Sequence, residues 1–304
     1  MMLKLISAMS LALGLGLPAT VTAAEQVTRR ELVPPPAPLA ASGSGELGDG
    51  GMRLETQAFT GAPWDDGLAE VAEYQVQQFR YGELHPGTAV MIVVRENLDP
   101  QRAVKAGLDS TSTIPVLKCH WVTSFQTGVY RYEQAMTVFL RRSDAVPLRL
   151  FMTSHEWCGS AAKSWINRGP GSELSIFSYF DGHGDLRQPL ALAPETLLAD
   201  ALPVALRAWL TLNTAESRIM LVPSQLEART VSTTPIPALI SRRTIKDTVL
   251  VTVTGDGIRE ELAFADAAPN HLHSWRSLDG TIRTLTKIRR FDYWSHHSVA
   301  DQPK

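Results

Sequence analysis

Residues 154–160 read SHEWCGS, and the conformation of this heptapeptide decides what the chain can be. It follows LRLFMT at 148–153, which argues for a strand rather than a helix. In a strand, Leu148, Leu150, Met152, Ser154, Glu156 and Cys158 point one way, while Phe151, His155 and Trp157 point the other. His155 and Cys158 then face opposite sides and cannot form a local Cys–His pair, whereas a helical turn would bring them together. A nucleophilic Cys158 would need a histidine from elsewhere, such as His120 or His85. The alternative is a buried structural thiol.

The segments around this one repeat the strand pattern. LAEVAEYQVQQFRYGE (68–83) alternates, with Ala72, Tyr74 and Val76 on one side and Glu73, Gln75 and Gln77 on the other. TAVMIVVRE (88–96) is apolar at consecutive positions, as expected of a strand covered on both faces. IPVLKCHWVTSF, GVYRYEQAMTVFL, KSWINR, ELSIFSYF, TVLVTVTG, GIREELAF, HLHSWRSL and TIRTLTKIRR are further strand candidates. Asp-Gly pairs at 66/67, 181/182, 256/257 and 279/280 mark hairpins or strand ends. The expectation is a mainly β (α+β) domain, an antiparallel meander curved into a large sheet or half-barrel.

One segment departs from the pattern. In PETLLADALPVALRAWL (194–210), Leu197, Leu198, Ala201, Leu202, Ala205, Leu206, Trp209 and Leu210 form a stripe at helical spacing. Pro194 suits a first helical position, and Pro203 should kink or split the helix. This helix is expected to cover the open face of the sheet.

The N-terminus carries a charged start (MMLK), a short apolar run and a small-residue cleavage site ending at Ala23 or Ala24. These are the parts of a secretory signal peptide over 1–24, too short to span a bilayer. Residues 25–53, with VPPPAPLAASGSGELGDGG within them, read as a disordered Pro/Gly/Ser-rich linker. A single β-rich domain follows over 54–297, with a flexible tail at 298–304. The expected location is periplasmic or secreted. With 29 Lys plus Arg against 31 Asp plus Glu, the charge balance gives no reason to expect nucleic acid or an anionic surface as partner.

The two cysteines test the strand order. If the segments at 114–125, 128–140 and 147–157 form a meander, Cys119 and Cys158 lie on strands separated by a third. That is about 9.5 Å between backbones, beyond the roughly 7 Å Cα limit for a bridge. Cys119, His120, His155 and Cys158 do not make a zinc site, because neighbours on a strand project to opposite faces and only one of each doublet can converge. His271 and His273 share a face, but no third ligand is identifiable, so no metal or other cofactor is expected. No G-x-S-x-G elbow, P-loop, Rossmann fingerprint or H-E-x-x-H occurs.

EVAEYQVQQFRYGELHPGTAVMIVVRE, VLKCHWVTSFQTGVYRYEQAMTVFL, SHEWCG and SLDGTIRTLTKIRRFDYW together resemble a family of uncharacterised exported bacterial proteins often labelled "septum formation inhibitor Maf". Maf nucleotide pyrophosphatases themselves have an α/β fold and an S-x-S-P-R-R loop, to which Ser241-Arg242-Arg243 does not correspond. The resemblance singles out Arg80, Tyr81, Gly82, Glu83, Lys118, Thr127, Gly128, Tyr130, Glu156, Trp157, Cys158 and Gly159 as motif positions. Among these, Arg80, Tyr81, Glu83, Lys118, Tyr130, Glu156 and Trp157 are the candidate ligand-binding residues. At fold level the pattern is similar to curved antiparallel half-barrels of the bacterial envelope, including carriers of lipoprotein acyl chains.

Three functions are compatible with this reading. The first is a non-enzymatic binding or carrier domain whose groove takes a lipid or small amphipathic ligand, with Tyr74, Tyr130, Tyr132, Met136 and Met152 as inward candidates. The second is a hydrolase or transferase using Glu156 or Cys158 with Lys118 or His120 from a neighbouring strand. The third is an envelope-assembly interaction module, favoured by a filled sheet interior and an exposed apolar patch.

Overall fold

A computed structural model describes residues 56–107, 110–212 and 214–302. The signal peptide and the linker expected over 1–53 lie outside the described residues. Alternation produces the fold: strands β1 (Ala69–Arg80), β2 (Glu83–Leu98), β3 (Ile114–Thr127), β4 (Tyr130–Arg141), β5 (Pro147–Glu156), β6 (Gly159–Ile166), β7 (Glu173–Ser178) and β8 (Leu186–Pro189) form an antiparallel meander. After a short strand β9 (Thr196–Leu198) and helix α1 (Leu202–Leu210), a second meander runs through β10 (Glu216–Val222), β11 (Ile236–Ile245), β12 (Thr248–Gly255), β13 (Ile258–Ala265), β14 (Leu272–Ser277) and β15 (Ile282–Phe291). Pairing of β15 with β1 joins the two meanders into one 15-stranded sheet whose order runs from β8 through β1 and β15 to β9. The ladder does not close, and β8 and β9 are its two ends.

The sheet wraps around α1. Buried residues of this helix, including Leu202, Leu206 and Trp209, belong to one core with Met91, Trp121, Met136, Met152 and Trp165 of the first meander and Ile240, Val251, Leu262 and Phe264 of the second. A helix enclosed this way is buried on every side, including at Arg207, which lies off its apolar stripe. The helix is shorter than its periodicity suggests. Thr196–Leu198 pairs in parallel with β10, giving Leu197 and Leu198 a strand partner, and Ala199–Ala201 is a 3-10 turn. Pro203 falls in the first helical turn, where no N–H donor is required, and therefore starts α1 instead of kinking it.

Across the sheet, register aligns the inner side chains into rows. One row contains Glu70, Val93, Cys119, Val138, Leu150 and Trp165; the next contains Ala72, Met91, Trp121, Met136, Met152 and Lys163. Towards the ends of β1, β3 and β5 come Tyr74, Ala89, Thr123, Gln134, Ser154 and Ala161, followed by Val76, Gly87, Phe125 and Tyr132, with Glu156 closing β5. The first two rows are apolar apart from the buried charges Glu70 and Lys163, and Thr123, Gln134, Ser154 and Glu156 add polar groups to the inner face towards the rim. The apolar end is sealed by residues 58–68: Phe59 and Trp64 are buried, and Arg142 donates to the Phe59 carbonyl and to Asp65. The consecutive apolar run of β2 has a simple origin, because Val90, Ile92 and Val94 on its outer face pack with Ala69, Val71, Phe291 and Tyr293.

Candidate functional site

SHEWCGS is extended up to Glu156, turns at Trp157-Cys158, and continues as β6 from Gly159. Ser154 and Glu156 are buried on the inner face, while His155 is exposed and bonded to Ser160 Oγ at 2.8 Å. Cys158 occupies the turn and is exposed, which corrects the expectation of a buried thiol there: the strand ends two residues before it. Cys119 is buried and unpaired, with β4 between its strand and β5.

Glu156 lies near a cluster of aromatic residues at the polar end. The β1–β2 connection is the two-residue turn Tyr81-Gly82, both with positive φ (53° and 84°), the geometry of a type I′ hairpin. This turn places the Tyr81 hydroxyl 2.8 Å from that of Tyr132 and within 3.2 Å of that of Tyr130, which donates to it. Tyr132 stacks on Phe125 with ring centroids 4.8 Å apart. Burial and the hydrogen bond with Tyr81 push the Tyr132 phenol well above its ordinary range. The Arg80 guanidinium lies over both Tyr81 and Tyr132 and pairs with Glu227 at 3.2 Å. Trp157, 74% exposed, has its ring centroid 6.4 Å from that of Tyr130.

Of the candidate residues, Arg80, Tyr81, Tyr130 and Trp157 are therefore linked through this cluster, with Glu156 close enough for its charge to act on Tyr132. Glu83 is exposed at the start of β2. Lys118 is elsewhere: it projects from the outer face of β3 and pairs with Glu96 at 2.6 Å. His120 shares that outer face, with Nδ1 2.7 Å from Thr137 Oγ1. The combination of Glu156 with Lys118 or His120 is corrected by this parity, since Glu156 and the two bases stand on opposite sides of a continuous sheet, while Cys158 lies in the exposed β5–β6 turn and Lys118 and His120 are engaged with Glu96 and Thr137.

A second group, which sequence reasoning missed, occupies the interior. Lys163 on β6 has no exposed surface, and its Nζ has no hydrogen-bond partner among the described residues. Arg283 on β15 is 7% exposed; its guanidinium lies over Trp275 at 4.7 Å, and one of its terminal nitrogens is unpartnered. Both feel the charge of Asp200, which is buried in the turn before α1 and accepts hydrogen bonds from Ser224 Oγ (2.6 Å) and the Gln225 amide (2.8 Å). Burial raises the Asp200 carboxyl and lowers the Lys163 ammonium to about 8. Glu260, also raised by burial, accepts from Trp275 Nε1 and Ser277 Oγ. A charged residue in the inward parity of a strand is a legible signal: Lys163 alternates with Ala161 and Trp165, and Arg283 with Leu285.

At the opposite end, Glu70 and Arg207 form a fully buried bidentate pair at 3.0 and 2.8 Å, and His271 Nδ1 donates to Glu70 at 3.0 Å. His271 is engaged there while His273 is exposed. Among the described residues, no three His, Cys, Asp or Glu side chains come together as metal ligands, and no helix is long and apolar enough to cross a membrane.

No protein-family model and no curated protein matches the chain. Among solved structures it is similar to the crystal structure of a β-barrel-like protein of domain of unknown function DUF1849 from Brucella abortus, with 10% sequence identity and a TM-score of 0.43 over 74% of this chain and 99% of that one.

Proposed function

We propose that this is an exported, non-enzymatic binding or carrier domain for an amphipathic ligand, taken on the inner face of the curved sheet. The observation that carries the reading is a methionine- and tryptophan-lined stretch of that face with polar groups added beyond it towards the rim. Met91, Met136, Met152 and Trp121 form an apolar floor against α1, and Thr123, Gln134, Ser154, Tyr132 and Glu156 succeed them towards the rim. A molecule with an apolar body and a polar end matches such a surface. The floor is filled by side chains, so an apolar body would enter by displacing methionines, whose unbranched chains repack readily. Native mass spectrometry of protein purified from its own envelope tests this: a co-purifying amphiphile supports it, and ligand-free protein that also binds no added amphiphile refutes it.

A second reading has its own observation. Tyr81, Val129, Trp157, Tyr179 and Leu278 are all strongly exposed, and each sits in a turn or at a strand end on the polar side of the sheet. Exposed apolar residues gathered at one rim favour an interaction module. Under that reading, Trp157→Ser abolishes association with a partner and leaves amphiphile binding unchanged.

A further inference from the structure

We propose that Glu156, Tyr130 and Trp157 form a subsite at the rim of the sheet for the ammonium group of an amphiphile; this rests on the binding function above. The pairing of charges at that rim leads to this conclusion. Arg80 is met by Glu227 at 3.2 Å, and Arg131 by Glu133, which also accepts from Ser124 Oγ. Glu156 is not met. It is 5% exposed, its Oε2 is buried without a hydrogen-bond partner, and no Lys, Arg or His side chain pairs with it among the described residues. An ionised carboxylate can only accept hydrogen bonds, and leaving one buried without a partner is costly. The partner that satisfies it best is a donor carrying positive charge.

The aromatic neighbours select the same chemistry. On the inner face Ser154 pairs with Gln134, so two residues further on Glu156 stands beside Tyr132 across β4 and β5. The chain then turns, and Trp157, the next residue, meets Tyr130 with ring centroids 6.4 Å apart and planes inclined by 35°. Tyr132 is already engaged by Phe125 and Arg80, so the rings free to meet a ligand cation are those of Tyr130 and Trp157, the second strongly exposed. Such faces attract a cation, Trp above all, whereas the Glu156 charge repels an anion. The same strand directs the rest of the ligand. Ser154 and then Met152 follow Glu156 along the inner face of β5, the methionine roughly 13 Å away. An ammonium held at Glu156 places its alkyl chain along β5 towards the methionine floor.

The test uses the full mature chain and three amphiphiles of equal chain length, decylammonium, decanol and decanoate, in calorimetric titrations at pH 7 below their critical micelle concentrations. The wild-type protein should bind decylammonium roughly tenfold or more tightly than decanol, the effect of one charge-assisted hydrogen bond, and decanoate no better than decanol. Glu156→Gln should reduce decylammonium binding to the level of decanol, and Trp157→Leu should weaken it by about threefold, both leaving decanol unchanged. Equal binding of amine and alcohol by the wild-type protein, or tighter binding of decanoate, overturns the subsite but leaves the carrier function standing, and needs no variant to fold. Binding of none of the three overturns both. Methylammonium or a lysine peptide that binds through Glu156 and Trp157 in the absence of decylammonium affinity assigns the carboxylate to a free cation or to a partner's basic side chain, and overturns the amphiphile.

Discussion

The Glu70–Arg207 pair provides the most direct physical test of how the helix is held inside the sheet. Replacing Glu70 by Gln leaves the Arg207 guanidinium buried beneath Trp64 with its counter-charge gone, the Pro203 carbonyl still accepting from Nε and one neutral amide oxygen in place of two carboxylate oxygens for its terminal nitrogens. Removing one partner of a buried pair costs about 3–5 kcal/mol. At roughly 2–4 °C per kcal/mol for a domain of this size, the melting temperature of Glu70→Gln should fall by roughly 6–20 °C. The pH dependence supplies an independent estimate. Burial alone would push Glu70 up, but the Arg207 charge and the hydrogen bonds from His271 and Arg207 outweigh it and bring the carboxyl from 4.5 to about 2. A carboxyl with a lowered folded pKa stabilises fully above about pH 4.5 and loses that contribution as pH falls through about 2, here about 3 kcal/mol in all. Circular dichroism melts at pH 7 and along a series down to pH 2 should therefore show a deficit in Glu70→Gln that shrinks with acidification. The double variant Glu70→Leu/Arg207→Met, which removes both charges, should recover most of the loss. A Glu70→Gln protein within about 1 kcal/mol of wild type at pH 7 would refute the assignment of this pair as the anchor of α1.

Other consequences are as specific. Lys163→Met should raise stability at pH 7. Because burial lowers the Lys163 ammonium to about 8, the wild-type protein should gain up to about 3 kcal/mol between pH 8 and 10.5 as the unfolded chain holds the extra proton, and the variant should lack this rise in urea titrations. Native thiol titration should label Cys158 rapidly and Cys119 only after denaturation, since burial pushes the Cys119 thiol up to about 12; rapid labelling of both would contradict the fold around β3. Gly87→Ala places a Cβ 2.5 Å from the Ser124 carbonyl oxygen and 2.7 Å from Phe125 Cβ. The backbones of β2 and β3 must separate there, costing about 1–3 kcal/mol in chemical denaturation. Lys118→Met should leave amphiphile binding unchanged, because its side chain lies on the outer face with Glu96.

Alternation in β1, β3, β4 and β5 is local information, and it was enough to assign the strands, the inward parity of Tyr74, Tyr132, Met136 and Met152, and the separation of His155 from Cys158. Asp256-Gly257 and Asp279-Gly280 marked their turns for the same reason, since a positive φ is a property of single residues. Glu70, Lys163 and Arg283 stood in the inward parity of their strands, so charge inside the sheet was legible, but their partners were not. Arg207 meets Glu70 across 137 positions, and Lys163 and Arg283 share the field of Asp200 only because β15 pairs with β1 and the sheet curls around α1. The start of α1 was also settled at long range: the apolar stripe of 194–210 suits a helix, and parallel pairing with β10 claims Thr196–Leu198 for the sheet. Periodicity reports which side of an element is buried; which elements meet depends on pairing between distant strands, whose energy appears only once the chain has closed around its core.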